Sequence, residues 1–438
     1  MLACLPCYHD PLPWKSPSRI ACSASRLLFD SQEALLWFQK CSSCSHLKQI
    51  HAKIIRHGLF HDQLLVRKLL HLCSSYGKMD YATLVFHQLH QPSTFSWNLM
   101  IRAFTTNAKP LQALLFYNLM ICQSFQPDKF SFPFVLKACV ALSNLNKGKE
   151  VHALAIKTGL FRDTFLQNTL MDLYFKSGDL DSGFKVFQKM RVTNVVSWTT
   201  VITGLLACGE LGAARQTFEQ MPVRNVVSWT VMIGGYVRNQ DPQEAFELFQ
   251  RMLLNNVRPN EFTLVSLLKA CAELGSLDLG RWIHDFALKN GFKLGVYLGT
   301  ALVDMYSKCG SLQDAKQVFE KMERKSLATW NAMITSLGIH GCGKEALDLF
   351  AQMERANEKP DAITFVGVLS ACVHINDVDE GFRYYRYMIE HHGIEPILEH
   401  YTCMLELCNR ASMPDGDYRP MNSLRSKLKE TVANAEDL

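Results

Sequence analysis

Apolar residues recur along the chain at i, i+4 and i+7, as Ala214/Phe218/Met221, Ala245/Phe249/Met252, Ala315/Phe319/Met322 and Ala346/Phe350/Met353. That spacing lines one face of an α-helix. A second apolar run with an embedded tryptophan recurs at Trp97, Trp198, Trp229 and Trp330. Glycine separates the runs at Gly77, Gly178, Gly209, Gly275, Gly310 and Gly341. A left-handed residue of this kind ends a first helix. Pro110 and Pro242 fall where a second helix would begin, and a missing N–H costs nothing there. The pattern predicts helical pairs throughout.

The pairs repeat. Asn194-Val-Val-Ser-Trp-Thr199 returns as Asn225-Val-Val-Ser-Trp-Thr230, an offset of 31. Gly58-Leu-Phe-His-Asp62 returns as Gly159-Leu-Phe-Arg-Asp163, an offset of 101. Leu173-Tyr-Phe-Lys-Ser-Gly-Asp-Leu180 is echoed by Met305-Tyr-Ser-Lys-Cys-Gly-Ser-Leu312, an offset of 132. Units of 31 and 35 residues account for all three offsets. The layout is 31–62, 63–93, 94–128, 129–163, 164–194, 195–225, 226–260, 261–295, 296–326, 327–361 and 362–397, with a twelfth unit broken near Ser412. One hairpin cannot bury both faces, whereas stacked hairpins can, so the expected fold is an all-α solenoid. Tetratricopeptide repeats compete, but their period is a steady 34.

These residues resemble a pentatricopeptide repeat protein of the land-plant PLS subclass. The 35-residue units at 94–128, 226–260 and 327–361 resemble P-type repeats, and the 31-residue units resemble S-type repeats. Units carrying Leu136-Lys-Ala-Cys139, Leu268-Lys-Ala-Cys271 and Leu369-Ser-Ala-Cys372 resemble L-type repeats. The order L-S-P-L-S-S-P-L-S-P-L over 31–397, then a partial S-type unit at 398–412, fits the subclass. The resemblance implies a right-handed solenoid of stacked helix-turn-helix repeats. It also implies single-stranded RNA as partner, read one base per repeat.

Two columns carry that reading. The fifth residue of a unit is Asn98, Asn168, Thr199, Thr230, Thr300 or Asn331, and the last is Asp128, Asn194, Asn225, Asn260, Ser326 or Asp361. A core slot would not be expected to stay amide or hydroxyl, and a solvated one would drift to Lys and Glu. The two columns are therefore expected to form a ligand row, although N-capping explains part of the last column. The second position is apolar, at Phe95, Phe165, Val196, Val227, Tyr297 and Ala328, as base stacking wants. By resemblance, Asn98/Asp128 and Asn331/Asp361 imply U and Asn168/Asn194 a pyrimidine. Thr199/Asn225 and Thr230/Asn260 imply A, and Thr300/Ser326 a purine, giving 5′-U-n-Y-A-A-n-R-U-3′. Pro133/Asp163, Val265/Gly295, Arg67/Ser93 and Val366/Ile397 match no pair.

Bland readings account for other motifs. Cys41/His51, Cys139/His152 and Cys271/His284 suggest a metal, but His152 and His284 occupy the helix slot that phenylalanine fills elsewhere. Zinc would need four converging ligands. Cys4-x-x-Cys7 and Cys41-x-x-Cys44 have no second pair. Met120, Met190, Met221, Met252, Met322, Met353 and Met388 form a core stripe rather than a cofactor box. No metal, cofactor or small-molecule substrate is expected.

Composition agrees with a folded chain: 438 residues, 48% hydrophobic and 20% charged. A net charge of +5 is too small to indicate nucleic acid by itself. Fifteen cysteines, an odd number, suit reduced thiols. Val192 to Gly209 lacks charge but is laced with Asn194, Ser197 and three threonines, so a membrane span is not expected. Residues 1–30 read as a Ser-rich, acid-poor transit leader, favouring chloroplast over mitochondrion. Relatives with a C-terminal deaminase need His-x-Glu and a later Cys-x-x-Cys, and neither follows residue 398. Asp417-Tyr418-Arg419 only superficially matches the family's terminal Asp-Tyr-Trp, and 413–438 reads as a divergent tail. The expectation is a non-enzymatic recognition factor for C-to-U editing, partnered by a separate deaminase-bearing protein. The alternatives are an RNA-stabilising or splicing factor, or a protein-interaction scaffold.

Overall fold

The structure, a computed structural model, describes residues 29–410 apart from His90. The expected transit leader up to residue 28, Cys4-x-x-Cys7, the end of the partial unit and the expected divergent tail lie outside the described residues. The described residues contain 23 α-helices and no strand. The chain divides into two compact units, 1–138 and 139–438.

The first unit holds α1 (Ser31–Gln39), α2 (Cys44–Arg56), α3 (Gln63–Ser75), α4 (Met79–His87), α5 (Thr94–Thr106) and α6 (Pro110–Cys122). Helix α7 (Ser131–Ala141) starts in it, and α8 (Leu145–Lys157) belongs to the second unit. The second unit continues with α9 (Thr164–Lys176), α10 (Leu180–Gln188), α11 (Val195–Ala207), α12 (Leu211–Glu219), α13 (Val226–Arg238) and α14 (Pro242–Leu254). Then come α15 (Glu261–Leu274), α16 (Leu277–Lys289), α17 (Val296–Lys308), α18 (Leu312–Lys321), α19 (Leu327–Ile339), α20 (Gly343–Arg355), α21 (Ala362–Ile375), α22 (Val378–Glu390) and α23 (Leu398–Arg410). Within each unit successive helices pair, and first helices pack on first helices. Each unit is a stack of helical hairpins, an α-solenoid architecture.

Local chemistry sets the boundaries. Asn194, Asn225, Asn260, Ser326 and Asp361 each cap a first helix in a full capping box. Pro110 and Pro242 open α6 and α14. All six separating glycines have positive φ, so they turn the chain between helices. The two Gly-Leu-Phe motifs form single 3-10 turns, Leu59–His61 and Leu160–Arg162, an element the periodicity does not signal.

The core repeats one contact. A phenylalanine of four second helices, α4, α10, α12 and α18, packs edge-on against the tryptophan of the next first helix. Ring centroids are 4.7 Å apart for Phe86–Trp97, 5.0 Å for Phe187–Trp198, 4.8 Å for Phe218–Trp229 and 5.1 Å for Phe319–Trp330. The tryptophans thus pack between hairpins, as expected; Trp198 alone among these four is only half-buried. The methionine column is buried throughout. In short units, however, the second helix ends before it: α12 stops at Glu219 and α18 at Lys321. There Met221 and Met322 reach the core from the turn rather than from the helix face.

Candidate functional site

At the second position of the units from 63 to 397 an apolar residue points outward. Leu64, Phe95, Phe130, Phe165, Val196, Val227, Phe262, Tyr297 and Ile363 are each between 48% and 64% exposed. Ala328 is exposed as well. Half-exposed aromatic and branched side chains at one register leave their faces open to a planar ligand.

Grooves lie between consecutive first helices. One, of about 580 Å³, runs between α17, α19 and α21, with Ala328 and Ile363 at its sides and Asn331 and Asp361 among its lining. Another, of about 250 Å³, has Val196 and Val227 at its sides and Thr199 and Asn225 in its lining. The predicted columns therefore meet: two apolar walls flank the fifth residue of one unit and that unit's last residue.

The polar groups are already networked. Asn98 Nδ2 donates to Asp128 Oδ1 at 2.8 Å, and Asn331 Nδ2 donates to Asp361 Oδ1 at 3.0 Å. Each amide Oδ1 accepts from a hydroxyl in the next unit, Ser131 Oγ or Thr364 Oγ1, both at 2.6 Å. Thr230 lies 2.7 Å from the Thr263 hydroxyl and 3.5 Å from Asn260 Oδ1. Thr300 lies 2.6 Å from the Thr329 hydroxyl. Asn168 and Thr199 make no such bond: Asn168 Oδ1 is buried without a partner, and Thr199 turns back to the Val195 carbonyl at 2.6 Å.

These contacts show what each column does inside the protein. The last residue of these units is an N-cap, one side-chain oxygen of which accepts a helix N–H. The fifth residue is not simply open: Asn98, Asn168 and Asn331 are less than 10% exposed. An amide persists in that slot because a hydroxyl of the neighbouring hairpin satisfies it. What remains for a ligand at Asn98/Asp128 and Asn331/Asp361 is the second amide N–H and the Oδ2 of the carboxylate.

The histidines are packed between hairpins. His51, His152 and His284 place Nδ1 at 2.6, 2.8 and 2.9 Å from the hydroxyls of Tyr81, Tyr174 and Tyr306. Burial holds each below the ordinary histidine value. His152 also stacks on Phe161 at 5.2 Å. Burial likewise raises the thiols of Cys139 to about 11 and of Cys271 to about 12, away from reactive thiolate. Among the described residues no cluster of three or more His, Cys, Asp or Glu could hold a metal ion. No described helix is long and apolar enough to cross a membrane.

Models of the PPR repeat match residues 95–125, 168–195, 196–226 and 300–327, and the PPR repeat family model matches 224–273 and 325–374. A chloroplastic pentatricopeptide repeat-containing protein of Arabidopsis thaliana is 63% identical over 385 residues, covering 87% of this chain and 85% of the relative. This chain belongs to the pentatricopeptide repeat family. A second such Arabidopsis protein is 43% identical over 376 residues, 86% of this chain and 70% of the relative. A third is 39% identical, and this chain spans 61% of its length. Among solved structures, PPR10 from maize covers 92% of this chain and 68% of its own, at 16% identity and TM-score 0.49. The same protein in complex with an 18-nt RNA element matches at 15% identity and TM-score 0.48, over 90% of this chain and 66% of its own.

In this pentatricopeptide repeat protein, sequence reading missed the third residue of each following unit. Ser131, Ser197, Ser228, Thr263, Thr329 and Thr364 are all fully buried hydroxyls. The signal was present, because a Ser or Thr directly follows the apolar wall residue, but the partners of Ser131, Thr263, Thr329 and Thr364 lie 29 to 33 residues upstream. Phe130, Phe262 and Ile363 were missed as walls because their units have no readable fifth residue. Arg67, in the fifth slot of 63–93, has its guanidinium 4.2 Å over the Phe95 ring.

Proposed function

We propose that this protein binds single-stranded RNA sequence-specifically in a plant organelle and serves as the site-recognition factor of C-to-U editing. The carrying observation is the groove in which Asn331 and Asp361 lie between the walls Ala328 and Ile363. A base entering it stacks between the walls and meets one N–H donor beside one carboxylate oxygen. Family membership supports the reading, since pentatricopeptide repeats read one base per helical repeat with two or three side chains. Within 139–438 the six pairs from Asn168/Asn194 to Asn331/Asp361, including the unassigned Val265/Gly295, correspond to 5′-Y-A-A-n-R-U-3′.

The finer assignments belong to the same proposal. The unit order is that of the PLS subclass, and a deaminase-bearing protein is proposed as the partner. The chloroplastic relative supports a plastid location. The test is affinity for a matched oligonucleotide against one with the A-A pair changed, followed by organelle transcript sequencing in a null line. Equal affinity for both RNAs refutes base reading. Intact C-to-U events with unspliced or shortened transcripts replace editing by splicing or stabilisation.

A further inference from the structure

We propose that the buried hydroxyl at the third position of the following repeat, Thr364 after Asn331 and Ser131 after Asn98, is a positioning residue that sets base choice by locking the amide in one orientation. The inference rests on the base-reading function above and concerns a residue outside the two reading columns.

The same geometry occurs in both solenoid units. Thr364 Oγ1 donates to Asn331 Oδ1 at 2.6 Å while Asn331 Nδ2 donates to Asp361 Oδ1 at 3.0 Å. Ser131 Oγ and Asn98 repeat it at 2.6 and 2.8 Å. Helix capping alone does not require this. Thr364 Oγ1 completes its cap by accepting the Asp361 N–H at 3.0 Å, and it lies 2.9 Å from Asp361 Oδ1. It has one proton to give, and Asp361 Oδ1 already accepts from Asn331 Nδ2 and the Thr364 N–H. The shorter contact, to Asn331, takes that proton.

The consequence is chemical. With Oδ1 occupied, the amide shows the groove only its second N–H, beside Oδ2 of Asp361. A donor next to an acceptor fits uracil, whose carbonyl oxygen adjoins N3–H. A reversed amide would show two acceptors, which fit the adjacent N1–H and N2–H of guanine. Thr364 therefore discriminates U from G without touching the base. At the 164–194 repeat the lock is missing. Ser197 Oγ sits 3.2 Å from Asn194 Oδ1 instead, and Asn168 Oδ1 is buried without a partner. That amide is free to reverse, so its repeat discriminates less.

The test measures full-chain affinity by fluorescence anisotropy for oligonucleotides with U or G opposite Asn331/Asp361. A second pair varies the base opposite Thr230/Asn260. The proteins are wild type, Thr364→Val, Thr364→Ser and Asn331→Ala. The expected result is a U/G ratio roughly fivefold lower in Thr364→Val, the weight of one neutral hydrogen bond. The ratio returns in Thr364→Ser, and the Thr230/Asn260 base is read as before. If Thr364→Val keeps the ratio while Asn331→Ala loses it, the positioning role is wrong and base reading stands. An equal loss at both bases reduces Thr364 to a stabilising cap and overturns the proposal. If wild type shows no U/G preference and Asn331→Ala changes nothing, base reading at this repeat fails and the inference with it.

Discussion

Phe218→Ala is expected to destabilise the second unit by about 3–5 kcal/mol, the range for emptying a fully buried phenylalanine site. Phe218 is 0% exposed, and its ring meets Trp229 of the next hairpin at 4.8 Å and 76°. The edge-to-face contact contributes roughly 0.5–1.5 kcal/mol beyond burial. Arg224 lies 5.0 Å over the ring. Phe187 makes the same contact with Trp198, but both residues are only half-buried. Phe187→Ala should therefore cost clearly less, on the order of 1–2 kcal/mol, scaling with the smaller area removed from water. Urea denaturation gives the two free energies. Hydrogen exchange should show faster opening of α12 and α13 in Phe218→Ala before distant helices respond, because each hairpin contacts only its neighbours. Equal costs, or a larger cost at Phe187, would refute the view that buried interhairpin aromatic contact sets local stability.

Two glycines give opposite expectations. A Cβ on Gly343 would lie 2.6 Å from the Ala371 carbonyl oxygen, so Gly343→Ala should destabilise by about 1–3 kcal/mol, whereas Gly212, with nothing within 4 Å, should tolerate alanine or gain up to about 1 kcal/mol; thermal melts separate them. Asn331→Thr should move the base preference opposite that repeat from U toward G, a change on the order of 1–3 kcal/mol in relative affinity, by analogy with side-chain readout of DNA bases; an unchanged preference in paired-oligonucleotide binding refutes the reading row. His51, His152 and His284 have folded values below the ordinary 6.5, so the unfolded chain binds more protons as pH falls through that value. Urea midpoints should drop between pH 7.5 and 5.5, and drop less in His284→Phe.

Much of this protein was legible because its signals are local. Caps, turn glycines and the two prolines act on backbone groups within four residues of themselves, so Asn194, Gly209 and Pro242 mark helix ends in any context. The aromatic column was legible because the repeat carries it at fixed spacing. The burial of the fifth slot was not legible, because the partners of its amides are distant in sequence: Ser131 lies 33 residues beyond Asn98, and Thr364 33 beyond Asn331.

The histidines show the same division. Sequence placed His152 and His284 in a packed slot, and the structure adds His51. Their tyrosines come from different elements, Tyr81 on a second helix 30 residues on, and Tyr174 and Tyr306 on first helices 22 residues on. The sequence by itself determined the repeat length, the helix ends and which faces are apolar, since short-range backbone bonding and 3.6-residue periodicity decide these. Tertiary structure alone decided which polar atoms are consumed inside the protein and which face the groove. That depends on how one hairpin is stacked on the next, and a shift of an ångström there would unmake every hydrogen bond between them.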